Sequence, residues 1–302
     1  MRSSGDRRTD IAILAAGVAA VSTAAIFIRQ ADAPALVIAA YRLTLASAPL
    51  LALQALRRRP MLPAGGRRRV LLTLLAGVFL AAHFGFWIAS VQDTSIITSV
   101  VLVTAQPLFV AAASGPLLGE RPSPLAWAGI VTAGAGGAVM IAEDVGQGTD
   151  ALRGDAFALL GAAFAAAYIL AGRRLRATGS EWLPYVTTVY STAAAVLVAA
   201  ALIAGHSPTG YSAESYLFFA LLALVPQLIG HTAINRSLGY LPAASVAIAI
   251  LGEPIGSTVL GAVFLDEVPT ALQLAGAAIV LTGVYAGLRG SLRSGEPAVA
   301  PD

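Results

Sequence analysis

Residues 104–129 read TAQPLFVAAASGPLLGERPSPLAWAG and residues 251–276 read LGEPIGSTVLGAVFLDEVPTALQLAG, so the chain contains an internal repeat. At one offset of 147 positions the matching residues are Gln106-Pro107 with Glu253-Pro254, Leu118 with Leu265, Glu120 with Glu267, Pro122 with Pro269, Ser123 with Thr270, Gly129 with Gly276, and Gly136 with Gly283. Upstream, His83 matches His231 at an offset of 148, which indicates one inserted or lost residue. The repeat predicts two related halves of one fold.

The composition predicts an all-α integral membrane protein. Hydrophobic residues make up 57% of the 302 positions and charged residues 12%, which leaves too little polar surface for a water-soluble domain. Ten apolar stretches are long enough to cross about 30 Å of hydrocarbon at about 1.5 Å per residue. The predicted transmembrane helices cover residues 11–28, 34–56, 70–90, 96–117, 124–142, 154–171, 183–204, 215–234, 243–264 and 270–288.

The repeat also predicts how the chain is organised. Each half holds five predicted helices, and an odd number of crossings places the second copy upside down relative to the first. A polar, glycine-rich linker joins the two inverted five-helix repeats. The predicted segments are an N-terminal tail (1–10), the first repeat (11–142), the linker (143–153), the second repeat (154–288) and a C-terminal tail (289–302).

The arginine residues predict the orientation of the chain. All 19 basic residues are arginine, and most of them flank the helix ends that share a side with the N-terminus. Cytoplasmic loops carry an excess of positive charge, so both termini are predicted to be cytoplasmic. The apolar run after residues 2–8 is too long for a cleaved signal peptide and is interpreted as the first permanent span.

Missing residue types exclude several chemistries. Without lysine the chain has no Walker phosphate-loop or Schiff-base lysine, and without cysteine it has no thiol or iron–sulfur chemistry. Its three histidines form no zinc motif, so we expect no metal and no other cofactor. The arginines lie beside apolar segments, so the formal charge of +3 does not indicate nucleic-acid binding. The expected partners are the lipid bilayer and a small-molecule substrate; the oligomeric state, a monomer included, is left open.

Glu253 and Pro254 form the clearest polar feature inside a predicted helix. A charge buried in lipid is costly, and the proline frees the carbonyl of Ile250 to accept a bond from elsewhere. Glu253 is interpreted as a proton carrier, a cation site or an anchor for a substrate ammonium; the alternative is a protonated acid bonded to a neighbouring helix. Gln106 is its neutral counterpart in the first repeat. The predicted kinks are at Pro107, Pro226 and Pro254.

Histidines and aromatic residues predict a cavity wall. His83 and Trp87 share one face of the third predicted helix, where an imidazole beside an indole can bind a polar group and stack an apolar or cationic one. The alternative for His83 is a hydrogen bond between helices. The eighth predicted helix carries His231 and Asn235, but His231 lies nearer the cytoplasmic end and is interpreted as hydrated at the interface.

Further candidates lie in three other predicted helices. Tyr41 and Arg42 occupy the outer half of the second, where Arg42 is interpreted as a ligand for a substrate carboxylate, as a cation that snorkels outward, or as a partner of Asp32. Tyr168 and Tyr190, in the sixth and seventh helices, lie deep enough to line a cavity.

The two halves, with their mid-helix prolines followed by LLGERPS (117–123) and FLDEVPT (264–270), resemble the EamA-type drug/metabolite transporter superfamily, most closely its bacterial amino-acid exporter branch. The resemblance covers residues 10–288 and implies ten helices around a central cavity. The substrate-binding residues that it implies are Thr23, His83, Trp87, Ser99, Gln106, Tyr168, Gln227 and Glu253.

These features predict a secondary transporter and not an enzyme. It would export amino acids or similar small zwitterionic metabolites by alternating access to a midplane cavity, and the resemblance implies a bacterial plasma (inner) membrane. Because the chain has no nucleotide motif, the energy would come from the substrate gradient or from protons. The alternative is a proton-coupled exporter of drugs or other metabolites, in which Glu253 would be indispensable. An intramembrane enzyme or a lipid-handling scaffold is disfavoured, since no midplane aspartate pair or metal cluster is visible in the sequence.

Overall fold

The fold is taken from a computed structural model that describes residues 4–58, 60, 62, 66–118, 123–145, 149–176, 181–237 and 249–293. Every regular element in these ranges is a helix, as predicted. In chain order the elements are α1 (Ser4–Ser22), α2 (Ala24–Gln30), α3 (Ala35–Leu56), α4 (Arg67–Asp93), α5 (Ile96–Thr104), α6 (Gln106–Leu118), α7 (Pro124–Asp144), α8 (Thr149–Arg176), α9 (Trp182–Ile203), α10 (Ala213–Leu222), the π-helix π1 (Ala223–His231), α11 (Thr232–Ser237), α12 (Gly252–Phe264) and α13 (Ala271–Arg293).

Within the described ranges, seven helical segments are long and apolar enough to cross a membrane. They are Ala12–Gln30, Ala35–Leu56, Arg67–Asp93, Pro124–Glu143, Thr149–Gly172, Trp182–Ile203 and Ala213–Ile234. The shortest has 19 residues, which at about 1.5 Å per residue is close to the thickness of the hydrocarbon layer. The chain is therefore a multi-pass helical membrane protein.

The other three predicted spans correspond to the structure in different ways. Predicted span 96–117 consists of α5 and α6, which meet at a turn at Ala105. The span predicted at 243–264 begins outside the described residues and continues as α12. The span predicted at 270–288 corresponds to α13, which begins one residue later and continues beyond it. The count of ten spans stays a prediction.

The predicted tails are helical where the structure describes them. Helix α1 begins at Ser4 and α13 ends at Arg293, beyond the predicted membrane boundaries at both ends. Arginine is a good helix former, so both helices continue past their apolar stretches. The described part of the predicted linker belongs largely to the ends of α7 and α8. Residues 1–3, 146–148 and 294–302 lie outside the described ranges, as does Glu120.

Three helical breaks lie close to one another in the bundle. Thr23 separates α1 from α2, Ala105 separates α5 from α6, and Leu251 immediately precedes α12. Pro107 and Pro254 follow the second and third breaks, and because proline has no amide hydrogen the regular bonding of the helix cannot continue through it. The predicted kinks at these two prolines are thus accompanied by real interruptions of the helix.

The helices of the first half pack against those of the second half. Helix α4 packs against α8, α3 against α9, α7 against α13, and α5 against α12, while α1 packs against π1 and α11. In the two predicted repeats α4 corresponds to π1, and α1 corresponds to α8. The pair α4/α8 is therefore the counterpart of the pair π1/α1, and each of the other three pairs is its own counterpart. This is the packing pattern expected of two repeats related by a pseudo-two-fold axis.

Helices α7 and α13 approach each other backbone to backbone. A Cβ atom added at Gly129 would lie 2.5 Å from the carbonyl oxygen of Gly283 and 2.5 Å from the amide nitrogen of Gly287. A Cβ atom at Gly283 would in turn lie 2.5 Å from the amide nitrogen of Ala133. Small residues allow helices to pack this closely in membranes, where van der Waals contact drives association.

We expect Gly129→Ala to destabilise the protein. Overpacking costs about 1–3 kcal/mol, and the atoms that the new methyl group meets are backbone atoms that cannot rotate away. The thermal midpoint, followed by size-exclusion chromatography of heated samples, should fall by about 3–10 °C. Gly134→Ala is the matched control on the same helix, since a Cβ there meets no atom within 4 Å. Equal midpoints for the two variants would contradict this interpretation.

One end of the bundle is tied together across the two halves. The Nη2 atom of Arg29, near the end of α2, donates to the carbonyl oxygen of Thr94 at 2.6 Å and lies 3.5 Å from Glu267. Glu267 also accepts a hydrogen bond from the backbone amide of Ile96 at the start of α5. Side chains close to the surface thus connect α2, α5 and the segment between α12 and α13.

Candidate functional site

The helical breaks surround one cavity of about 130 Å³. Both halves of the chain contribute to its wall, which includes residues next to the breaks at Ala105 and Leu251. The lining residues are Val21, Ala24, Arg42, His83, Phe84, Trp87, Val103, Thr104, Gln106, Pro107, His231, Ile250, Leu251 and Glu253. We refer to this space as the central cavity.

Arg42 is a fully buried cation in the wall of the central cavity, with 1% of its surface exposed. Its Nε atom donates to Oε1 of Gln227 at 2.9 Å. Its guanidinium carbon lies 4.2 Å from the ring centre of Phe84 and 5.5 Å from that of Trp87. The side chain neither snorkels outward nor turns towards Asp32, because α3 directs it into the bundle.

Two hydrogen-bond donors in this wall have no partner in the described part of the chain. They are Nη1 of Arg42 and Nε1 of Trp87, both of which are buried. An unpartnered buried donor is costly, and the great majority of buried polar atoms in proteins are bonded. The central cavity therefore presents hydrogen-bonding capacity that this part of the protein does not use.

Glu253 and His83 supply acceptors to the same cavity. Glu253 lies in the first turn of α12, directly after the break, and interacts electrostatically with Arg42. The Nδ1 atom of His83 is 2.9 Å from the carbonyl oxygen of Gly161. A carbonyl oxygen only accepts, so Nδ1 carries a proton, and in the neutral form of the ring Nε2 is an acceptor. His83 thus bridges α4 to α8 and also lines the cavity.

His231 lies in the cavity wall, whereas the sequence suggested a hydrated position at the interface. It is the last residue of π1, and this π-helical stretch contains Pro226. A π-helix has more residues per turn than an α-helix, which changes the direction of the side chains that follow. The helix containing Asn235 is described, but the Asn235 side chain lies outside the described residues.

Four residues implied by the family resemblance do not line the central cavity. Thr23 donates its hydroxyl to the carbonyl oxygen of Ala20 at 2.7 Å, and Ser99 accepts from the hydroxyl of Ser90 at 2.8 Å. Tyr168 is half-buried against the main hydrophobic core. Gln227 stands behind the wall and bonds Arg42.

The remaining tyrosine candidates differ in position. Tyr190 is buried beside Gln227 and Arg42, one layer behind the cavity wall. Tyr41 donates its hydroxyl to the carbonyl oxygen of Pro208 at 2.8 Å and lines a different, mostly apolar cavity. The structure therefore groups Tyr190 with the central cavity and separates Tyr41 from it.

The wall also contains residues that were not among the predicted binding residues. Val103, Thr104, Ile250 and Leu251 lie immediately before Gln106-Pro107 and Glu253-Pro254. Because a proline frees the carbonyl of the fourth residue before it, positions 103 and 250 are where the backbone bonding fails. Pro254 already indicated the free carbonyl of Ile250 from the sequence, and Pro107 indicates Val103 in the same way.

Another cavity, of about 540 Å³, lies at the end of the bundle where Arg29 contacts Thr94 and Glu267. Its wall includes Arg29, Asp32, Gln92 and Tyr211, and it shares helix α2 with the central cavity. Across the described ranges no three His, Asp or Glu side chains come together as a metal-binding group.

Comparison with known proteins identifies the family. The sequence profile of the EamA-like transporter family matches residues 8–142 and 152–288. The chain belongs to the EamA-like transporter family. One crystal structure of another protein is similar in fold. The superposition covers 95% of this EamA-like transporter and 98% of the other chain, with a TM-score of 0.65 and 18% sequence identity. No curated protein has a significant match to the chain.

The family assignment confirms the broad predictions made from the sequence. This EamA-like transporter is a multi-pass membrane protein that carries a small molecule across a lipid bilayer. Transport, and not catalysis, is the activity that the family supports. The amino-acid exporter branch stays a prediction.

Proposed function

We propose that this EamA-like transporter is a secondary transporter that exports amino acids or similar small zwitterionic metabolites. The observation that carries the proposal is the central cavity, which lies among the helical breaks and is lined by both halves of the chain. Transporters with internal repeats bind their substrates near the midplane at the interface of the repeats, next to interrupted helices. Movement of one repeat against the other would expose such a site alternately to the two sides.

The size of the central cavity supports a small solute. Pockets for drug-sized ligands measure about 300–1,000 Å³, whereas the central cavity measures about 130 Å³. A large lipophilic drug would require a considerable expansion of the bundle. The size therefore favours small metabolites over multidrug export.

The chemistry of the wall supports a substrate with an ammonium group and an apolar part. Glu253 and Nε2 of His83 are acceptors suited to an ammonium, and Gln106 adds an amide beside the first-half break. Phe84 and Trp87 are buried aromatic rings, with centroids 6.2 Å apart, against which an apolar side chain can pack.

The proposal includes a specific arrangement in the membrane. Ten transmembrane helices form two inverted repeats, and both termini lie in the cytoplasm at the bacterial inner membrane. The distribution of arginine supports this orientation, and the pairing of first-half with second-half helices supports the two-fold relation of the repeats.

Counterflow in proteoliposomes tests the proposed function. Purified protein is reconstituted with an unlabelled amino acid inside, a labelled trace of the same amino acid is added outside, and no proton gradient is imposed. We expect transient accumulation of label for a subset of the amino acids and none in protein-free liposomes. Glu214→Gln, at an exposed position at the start of α10, is the matched control and should exchange like the wild type.

The alternative of proton-coupled drug export predicts a different result. Folded protein would exchange no amino acid, yet an imposed proton gradient would drive efflux of a lipophilic cationic dye. That pair of outcomes would reject the proposed function and replace it with multidrug export.

A further inference from the structure

We propose that Arg42 and Trp87 form an anion subsite in the central cavity that binds the carboxylate of the transported solute. This inference rests on the proposed function and deepens it, because it makes a free carboxylate a requirement for recognition. The two unpartnered donors described above, Nη1 of Arg42 and Nε1 of Trp87, belong to residues of one wall.

The contacts of Arg42 account for only part of its guanidinium group. The guanidinium carbon lies 4.2 Å from the ring centre of Phe84, and the Nε atom donates to Gln227 at 2.9 Å. Neither contact is a hydrogen bond from Nη1, which has no partner in the described part of the chain. The arrangement therefore leaves Nη1 as a free donor beside the cavity.

Trp87 provides the second donor. An indole N–H can only donate and normally has a partner when it is buried. Trp87 is 4% exposed, and its ring centre is 5.5 Å from the Arg42 guanidinium carbon. A carboxylate oxygen in the cavity could accept from one or both of these groups, and charge-assisted bonds of this kind are among the strongest in proteins.

Gln227 is a positioning residue for the subsite. It lies on π1 directly after Pro226, is 2% exposed, and reaches Arg42 from behind the cavity wall. Its Oε1 atom holds the Nε edge of the guanidinium group, which fixes the direction of the other nitrogen atoms. Gln227 therefore contributes to the site from behind the wall, whereas His231 at the end of the same π-helix lines the cavity.

The experiment compares solutes with and without a carboxylate. For each amino acid that exchanges in counterflow, competition is measured with the acid itself, with its amide and with its decarboxylated amine, in wild-type protein, Arg42→Gln and Arg42→Lys. In the wild type we expect the amide and the amine to compete at least about tenfold more weakly than the acid. In Arg42→Gln the acid should weaken by a similar factor, so that the ratio of acid to amide approaches one.

The ratio separates a binding role from a structural one. A purely structural Arg42 would weaken acid and amide equally and leave their ratio unchanged, which would overturn the inference. Arg42→Lys keeps a positive charge and serves if the glutamine variant does not fold; its ratio should lie between those of the other two proteins. Arg289→Gln, which removes an exposed guanidinium that lies over Tyr285, is the matched control and should keep the wild-type ratio.

Failure of the proposed function gives a distinct result. If the wild type exchanges amino acids and accepts amides equally well, the function stands and the anion subsite is rejected. If no amino acid exchanges, thermal stabilisation by simple monocarboxylates and their amides is measured on the same purified proteins. If carboxylates but not amides stabilise the wild type, and Arg42→Gln loses this effect, the anion subsite is supported without amino-acid transport. If carboxylates do not stabilise the wild type, the anion subsite and the proposed function are both rejected.

Discussion

Replacing Glu253 by glutamine is expected to lower the apparent affinity for amino acids in counterflow at least about tenfold. Hydrogen bonds to charged groups contribute about 1.5–3 kcal/mol, which corresponds to about 10–150-fold in binding. Glutamine keeps the size of the side chain in the first turn of α12, but it cannot carry the negative charge that would face the substrate ammonium, and one of its two acceptor oxygens is replaced by an NH2 donor. Initial rates over a range of substrate concentrations measure the effect.

The same variant discriminates between the proposed functions. If amino-acid exchange is unchanged while dye efflux is lost, Glu253 serves proton-coupled drug export and the ammonium role is wrong. Glu214→Gln makes the same chemical change at an exposed position and should leave both activities intact.

Replacing Trp87 by alanine is expected to have the largest effect on stability. A buried tryptophan contributes to the core as well as to the cavity wall, and its removal costs about 3–5 kcal/mol. The ring lies 6.2 Å from Phe84 and 6.1 Å from His83, so its loss would also disturb the adjacent wall. The thermal midpoint should fall by about 6–20 °C, and exchange should be lost.

Two further variants complete the Trp87 test. Trp127→Ala removes an indole that is 50% exposed on α7 and should change the midpoint by no more than about 2 °C. Trp87→Phe keeps an aromatic ring and removes the Nε1 donor, so it should retain most of the stability and still weaken exchange. Wild-type exchange in Trp87→Phe would show that the donor has no role in binding.

Seven of the predicted spans correspond to described helical segments that are long and apolar enough to cross a membrane, because long apolar stretches have few alternatives in lipid. A backbone in the hydrocarbon layer must satisfy its own hydrogen bonds, so each stretch of sufficient length becomes a helix. The side chains of His83, Trp87, Gln106 and Glu253 were also identifiable, because polar or aromatic groups stand out within apolar segments. All four line the central cavity.

The direction of individual side chains could not be predicted in the same way. Helix α3 is apolar around its whole circumference, so periodicity does not indicate which face carries Arg42 inward. A hydroxyl group in an apolar helix does not by itself indicate a cavity, because it can form its hydrogen bond with a nearby backbone carbonyl or side chain. Thr23 donates to the carbonyl oxygen of Ala20 at 2.7 Å, and Ser99 accepts from the hydroxyl of Ser90 at 2.8 Å. Only the packing of the helices decides which polar residues reach the cavity.

The interrupted helices have a mechanical consequence. A continuous helix moves as a rod, so a tilt at one membrane surface is transmitted to the other. The breaks at Thr23 and Ala105 divide their helices next to the central cavity, and the break at Leu251 lies at the start of α12 beside the same cavity. An interrupted helix would allow the segment on one side of the break to tilt while the segment on the other side stays packed in the bundle.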